Sequence, residues 1–226
     1  MGILETIALS MGIAWASGIN LYAAIGTLGI LGATGHMVLP EELQILQDPA
    51  VIAAAGFMYC VEFFADKVPG VDNTWDALHS FIRIPAGAVL AAMAVGHVSP
   101  AAELSALIIG GGLAATSHCL KSGGRVLINA SPEPFSNWVA SIGEDVVVIA
   151  GITAAVFAPV PFLVLLALFV LLAIWLLPKM WRGIKIVFAR LKTLFGGKPA
   201  DSETRPPELF NPKLLKGGES AAEPPR

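Results

Sequence analysis

Charge is scarce in this chain. Asp, Glu, Lys and Arg make up 14% of its 226 residues, against about 25% in ordinary soluble domains. The first Lys or Arg is Lys67. An N-terminus without a basic region, apolar over 7–31, reads as a first spanning helix and not as a cleavable signal peptide. A net charge of -3, with no basic face in the first two thirds, excludes nucleic acid as a partner. Cysteine is limited to Cys60 and Cys119, too few for a disulfide framework and without metal-ligand spacing. Both sit in apolar stretches and read as small buried side chains. The histidines, at 36, 79, 97 and 118, also lack ligand spacing, so no metal site is expected. There is no His-Glu-x-x-His, no Gly-x-Ser-x-Gly and no dinucleotide fingerprint. Gly110-Gly111-Gly112 lacks the Lys-Ser/Thr that completes a phosphate loop. These absences leave no recognisable catalytic residue and name no cofactor.

Apolar length is abundant. At 55% hydrophobic residues, the chain carries more apolar surface than a soluble domain of this size can hide. A spanning helix takes about 20 such residues, and the sequence offers six candidates. They cover 7–31, the stretch after Pro49 to 65, 81–98, 104–120, 138–157 and 162–177. This predicts an all-α, polytopic membrane helix bundle over 1–178. The Ala-Pro-Val-Pro step at 158–161 separates the last two spans, because proline starts helices well and continues them badly.

The basic residues give an orientation. Lys67, Arg83, Lys121 and Arg125 cluster at the connections after the second and fourth spans, and the other ten basic residues follow residue 178. The remaining connections hold no Lys or Arg. Both termini are therefore expected in the cytoplasm. Over 179–195, Trp181, Ile184, Phe188, Leu191 and Phe195 recur at helical spacing, with Arg182, Lys185 and Lys192 largely elsewhere on the wheel. That suits a basic interfacial helix on anionic lipid; the plain alternative is an extension of the sixth span. From 196 to 226, Pro, Gly, Glu and Lys dominate, and disorder is expected.

Two charged regions interrupt the apolar pattern. In the first, Glu62 and Asp66 share one helix face, Lys67 follows, and Asp72, Asp76, His79 and Arg83 share a stripe on the next helix. Asp72 and Asp76 also fit plain helix-start roles, with Asn73 and Asp76 as a capping box. In the second, Lys121 and Arg125 share a face, followed by Asn129, Glu133, Asn137, Glu144 and Asp145. Pro69, Trp75 and Ala77 match Pro132, Trp138 and Ala140 at an offset of 63, too few identities to establish a duplication. The charges at matching places are nevertheless opposite. Glu62 and Asp66 are expected to pair with Lys121 and Arg125, and Arg83 with Glu144 or Asp145. Acids inside apolar runs are costly unless paired or facing a cavity. Asn20 and Tyr22, in the glycine-rich first span, either serve packing or line a polar cavity.

Gly18-Ile19-Asn20-Leu21-Tyr22, Glu62 with Asp66-Lys67-Val68-Pro69, Trp75-Asp76 with Arg83, and Ser131-Pro132-Glu133-Pro134 with Asn137 resemble a family of small multi-pass bacterial membrane proteins of unknown function. The resemblance covers about 5–178. It implies a membrane domain in the bacterial inner membrane and no stated activity.

Three readings stay open. A transporter, channel or lipid-translocating protein would bind a substrate or ion at Asn20, Glu62, Asp66, Arg83, Lys121, Arg125, Glu144 and Asp145. Tyr22, Lys67, Asp72, Asp76, Glu133 and Asn137 are secondary candidates. A non-catalytic scaffold or assembly subunit, with a homo-oligomeric or other membrane partner, would use the same charges for pairing alone. An enzyme acting on a lipid-linked phosphate ranks third. A cavity reaching Glu62 and Arg125 separates the first from the second.

Overall fold

The computed structural model describes residues 1–194 except Pro69, His97 and 131–133. Among the described residues there is no strand. The helices are α1 (Ile3–Ala33), a short 3-10 turn (Glu41–Gln47), α2 (Pro49–Ala65), α3 (Val71–Val95), α4 (Pro100–Asn129), α5 (Pro134–Phe157) and α6 (Pro159–Leu194). Four of them begin at a proline, where the missing N–H costs nothing. Asp48 caps α2 by accepting from the Ala50 N–H at 2.7 Å, and Ser99 caps α4 by accepting from Ala102 at 3.1 Å. Helix α3 starts behind Gly70, whose φ of 89° favours a residue without a side chain. Asn73 and Asp76 therefore lie inside the helix and form no capping box.

Five helices are long and apolar enough to cross a membrane. The 3-10 turn and α2 are together long and apolar enough as well, bent by 67°, so they form either a broken sixth span or a re-entrant loop that leaves five crossings. Alone, α2 has 17 residues, about 25 Å at 1.5 Å per residue. Helix α3 begins ten residues before the expected 81, and α4 runs nine beyond the expected 120. Asp72, Asp76, Lys121 and Arg125, which look like span ends by hydropathy, instead turn inward.

Helix α1 is the centre, packing against α2, α3, α4 and α5. Small residues bring α1, α3 and α4 close, as in lipid they must, where apolar surface alone drives no association. A side chain at Gly18 would collide with Ser117 and the Ala114 carbonyl, and one at Gly110 would collide with Ala91. Much of α6 is exposed along Leu165, Leu168, Leu171 and Ile174, as a lipid-facing helix would be. Cys60 and Cys119 are exposed rather than buried. Their helices are apolar on several sides, so the residue pattern marks no single buried face.

Residues 1–187 form one compact unit, and the described residues from 188 onward fall outside it. Helix α6 continues through Pro178 to Leu194 without a break. The expected tail, 196–226, lies outside the described residues, as do Ser131, Pro132 and Glu133.

Candidate functional site

The turns after α2 and α4 bring two charged helix pairs together. The i, i+4, i+7, i+11 stripe of α3 buries Asp72, Asp76, His79 and Arg83 against α4, which buries Ser117, His118, Lys121 and Arg125. Glu62 and Asp66 join from the end of α2, and Asn137, Ser141 and Asp145 from α5. Glu144 is partly exposed, at 22% of its side chain.

Lys121 is the hub. Its Nζ lies 3.1 Å from Glu62 Oε1, 3.0 Å from Asp66 Oδ2 and 3.0 Å from the Ile19 carbonyl, to each of which it donates. Asp76 and Glu144 each have an oxygen at 3.7 Å. Arg83 bridges Glu62 at 2.7 Å and Asp76 at 2.9 Å. Arg125 meets Glu144 at 2.6 Å and Asp66 at 3.5 Å, and donates to the side chain and carbonyl of Asn137. The sequence pairing of Glu62 and Asp66 with Lys121, and of Asp66 with Arg125, is present. Arg83 departs from expectation. It meets Glu62 and Asp76, not Glu144 or Asp145, because its nearest acids are on its own helix and on the neighbouring α2.

Asp72 stands apart. Its oxygens accept from the backbone N–H groups of Gly70 and Asn73 and from the side chains of Asn129 and Asn137, at 2.7–3.3 Å. It ties the start of α3 to the end of α4 and to α5. Lys67 is also outside the network. Its Nζ sits 2.9 Å from the Phe63 ring centroid and donates to the Phe63 carbonyl at 3.1 Å. Partial burial there draws the Lys67 pKa below its usual range, with Asp145 and Asp66 pulling the other way.

The network faces a break in α1. Asn20 has φ -145° and ψ 97°, far from helical values. Its Oδ1 accepts from the Ala23 N–H at 2.9 Å, as the cap of a new helix does. Its Nδ2 donates to Asp145 Oδ1 at 2.9 Å, and the Tyr59 hydroxyl donates to Asp145 Oδ2 at 3.1 Å. The carbonyls before the break are met by α4: Ser117 on Trp15 at 2.8 Å, His118 on Gly18 at 3.3 Å and Lys121 on Ile19. The negative end of one half-helix thus meets a cation. At the positive start of the next, the capping Asn20 holds a carboxylate.

Histidines flank the network. The Tyr22 hydroxyl lies 3.2 Å from His79 Nε2, and Trp75 stacks on the same ring at 4.2 Å. His118 Nε2 lies 2.6 Å from Ser80 Oγ, and Ser80 also lines a groove of about 560 Å³ bounded by residues of α3, α4 and α6. His118, Ser117 and Tyr59 were not singled out by sequence. Only the position of His118, near Lys121 on one face of α4, carried a signal. Among the described residues, no three His, Cys, Asp or Glu side chains are grouped to hold a metal ion.

Comparison with known proteins gives a family. Residues 7–179 match the family described as Domain of unknown function (DUF4126), and the chain belongs to it. No curated protein and no solved structure matches the chain.

Proposed function

We propose that this member of the family is a small membrane transporter whose ion-handling site is the buried network beside the break in α1. The break carries the proposal. A helix interrupted mid-span exposes backbone carbonyls and N–H groups at membrane depth, and such ends serve as ion and substrate sites in transporters with discontinuous helices. The break is at Asn20. Ionisable side chains within spans mark substrate or proton paths, and here they converge on the two half-helix ends.

Orientation belongs to the same proposal. Arg83, Lys121 and Arg125 are buried, so they no longer count as loop charges under the positive-inside rule. The ten Lys and Arg residues after 178 still favour a cytoplasmic C-terminus, in a bacterial inner membrane, with 179–195 against anionic lipid.

A scaffold reading has the burial in its favour: Glu62, Asp76 and Arg83 are fully buried, as a sealed structural core requires, and the groove beside Ser80 is lined by neither Glu62 nor Arg125. Accessibility separates the two. In a background without Cys60 and Cys119, single cysteines at Ser117 and Ser141 replace buried hydroxyls with near-isosteric thiols; positions 62, 125 and 145 complete the set. A transporter will admit a membrane-impermeant thiol reagent to these sites from at least one side during its cycle. Protection of every site from both sides, in inserted protein, would leave the scaffold.

A further inference from the structure

The network is unevenly charged. Among the described residues, contacts within 4 Å connect four carboxylates, Glu62, Asp66, Asp76 and Glu144, to three cations, Arg83, Lys121 and Arg125. With every group ionised, it carries one uncompensated negative charge. Nearly all of it is buried, and a buried charge without a partner is neutralised in preference to being carried.

Among the described residues, the neighbouring groups make no ion pair that supplies the missing charge. Lys67 is held on Phe63. His79 has Nδ1 at 3.0 Å from the Trp75 carbonyl and Nε2 beside the Tyr22 hydroxyl, so its hydrogen-bond partners are neutral groups and not the carboxylates of the network. His118 has the Gly18 carbonyl on one side and Ser80 on the other. Asp72 and Asp145 add negative charge of their own. Asp72 is met by four donors from neutral groups and Asp145 by two. Both can stay ionised without a cation. Tyr22 and Tyr59 act only as hydroxyls in these contacts.

The oxygens show where the imbalance falls. Among the described residues, Glu62 Oε2, Asp66 Oδ1 and Asp76 Oδ2 are buried without a hydrogen-bond partner, as are Nε and Nη2 of Arg83, and each of the three oxygens belongs to a carboxylate within 4 Å of the same ammonium. A protonated carboxyl is both neutral and a donor. It removes the excess charge.

We infer that the network carries one proton, shared among Glu62, Asp66 and Asp76 around Lys121. Lys121 acts as a tethered cation that sets the count at one. The proton itself follows from burial and charge parity. Its exchange with solvent, which would make the proton the coupling ion, rests on the transport reading above.

Infrared spectroscopy of the reconstituted full chain tests the two parts separately. Wild-type protein at neutral pH will show the carbonyl stretch of a protonated carboxylic acid, shifted in deuterated water. Asp76→Asn leaves three carboxylates to three cations and will abolish the band, whereas Asp145→Asn will keep it. Lys121→Met removes one cation and will double it. No band in wild type would overturn the inference. So would a melting temperature that rises with sodium or potassium, which would place an alkali cation in the network. Loss of the band in Asp145→Asn alone would move the proton out of the network and also overturn it. A band that responds as expected but is insensitive to pH jumps on either side of the vesicle would keep the proton and sink the transport reading.

Discussion

Helices α1 and α6 are of similar length and both pass for membrane spans, yet they occupy opposite environments. The apolar window of α1 has a mean hydropathy of 1.4 and is 72% buried; that of α6 has 3.0 and is 17% buried. In a soluble protein the more apolar helix would be the inner one. In lipid the outside is as apolar as any core, so hydrophobicity does not pull a helix inward. Close packing and polar partners do. Helix α1 has both, with Gly18 against α4 and Asn20 at the break. Helix α6 offers leucine to the bilayer.

Breaking the polar centre will have the largest effect. Arg83→Met leaves Glu62 and Asp76 short of a cation and should cost roughly 3–5 kcal/mol, read as a collapse of the detergent melting temperature. An unchanged melt would show that the surroundings of α1 do not depend on charge pairing. Filling the closest approach comes next. Gly18→Leu drives a side chain into Ser117 and the Ala114 carbonyl and should destabilise by about 1–3 kcal/mol, with α1–α4 crosslinking lost. Asn20→Ala removes the cap on Ala23 and the bond to Asp145. It should cost about 1–2 kcal/mol and leave the bundle folded enough for hydrogen exchange to report faster opening at 21–23. The smallest effect belongs to α6. Leu168→Ala and Leu171→Ala, at exposed positions, should each shift stability by within about 0.5 kcal/mol. A large loss there would mean that a second copy or another membrane protein covers this face, and would make α6 an inner helix of an assembly.

Much of the network was legible in the sequence because intramembrane charge is costly enough to demand a partner. Glu62, Asp66, Lys121 and Arg125 are spaced to share helix faces, and opposite signs on neighbouring hairpins pointed to their pairing. The fate of Arg83 was not legible. Asp76, seven residues earlier on the same stripe, reads equally well as a helix-start residue until the start of α3 at Val71 is known. The helices run past the apolar stretches for a related reason. A hydropathy window treats charge as the end of a span, and here Asp72, Asp76, Lys121 and Arg125 are buried within helices.

Composition and apolar run length settled the environment and the helical class, because only helices or closed barrels satisfy backbone groups in lipid. The Lys and Arg positions pointed to an orientation. The break at Asn20 needed the tertiary structure. Asn has a modest local preference against helix, and an interrupted helix persists in lipid only where other side chains meet the freed groups. Those side chains, Ser117, His118, Lys121 and Asp145, come from α4 and α5, roughly a hundred residues and more along the chain.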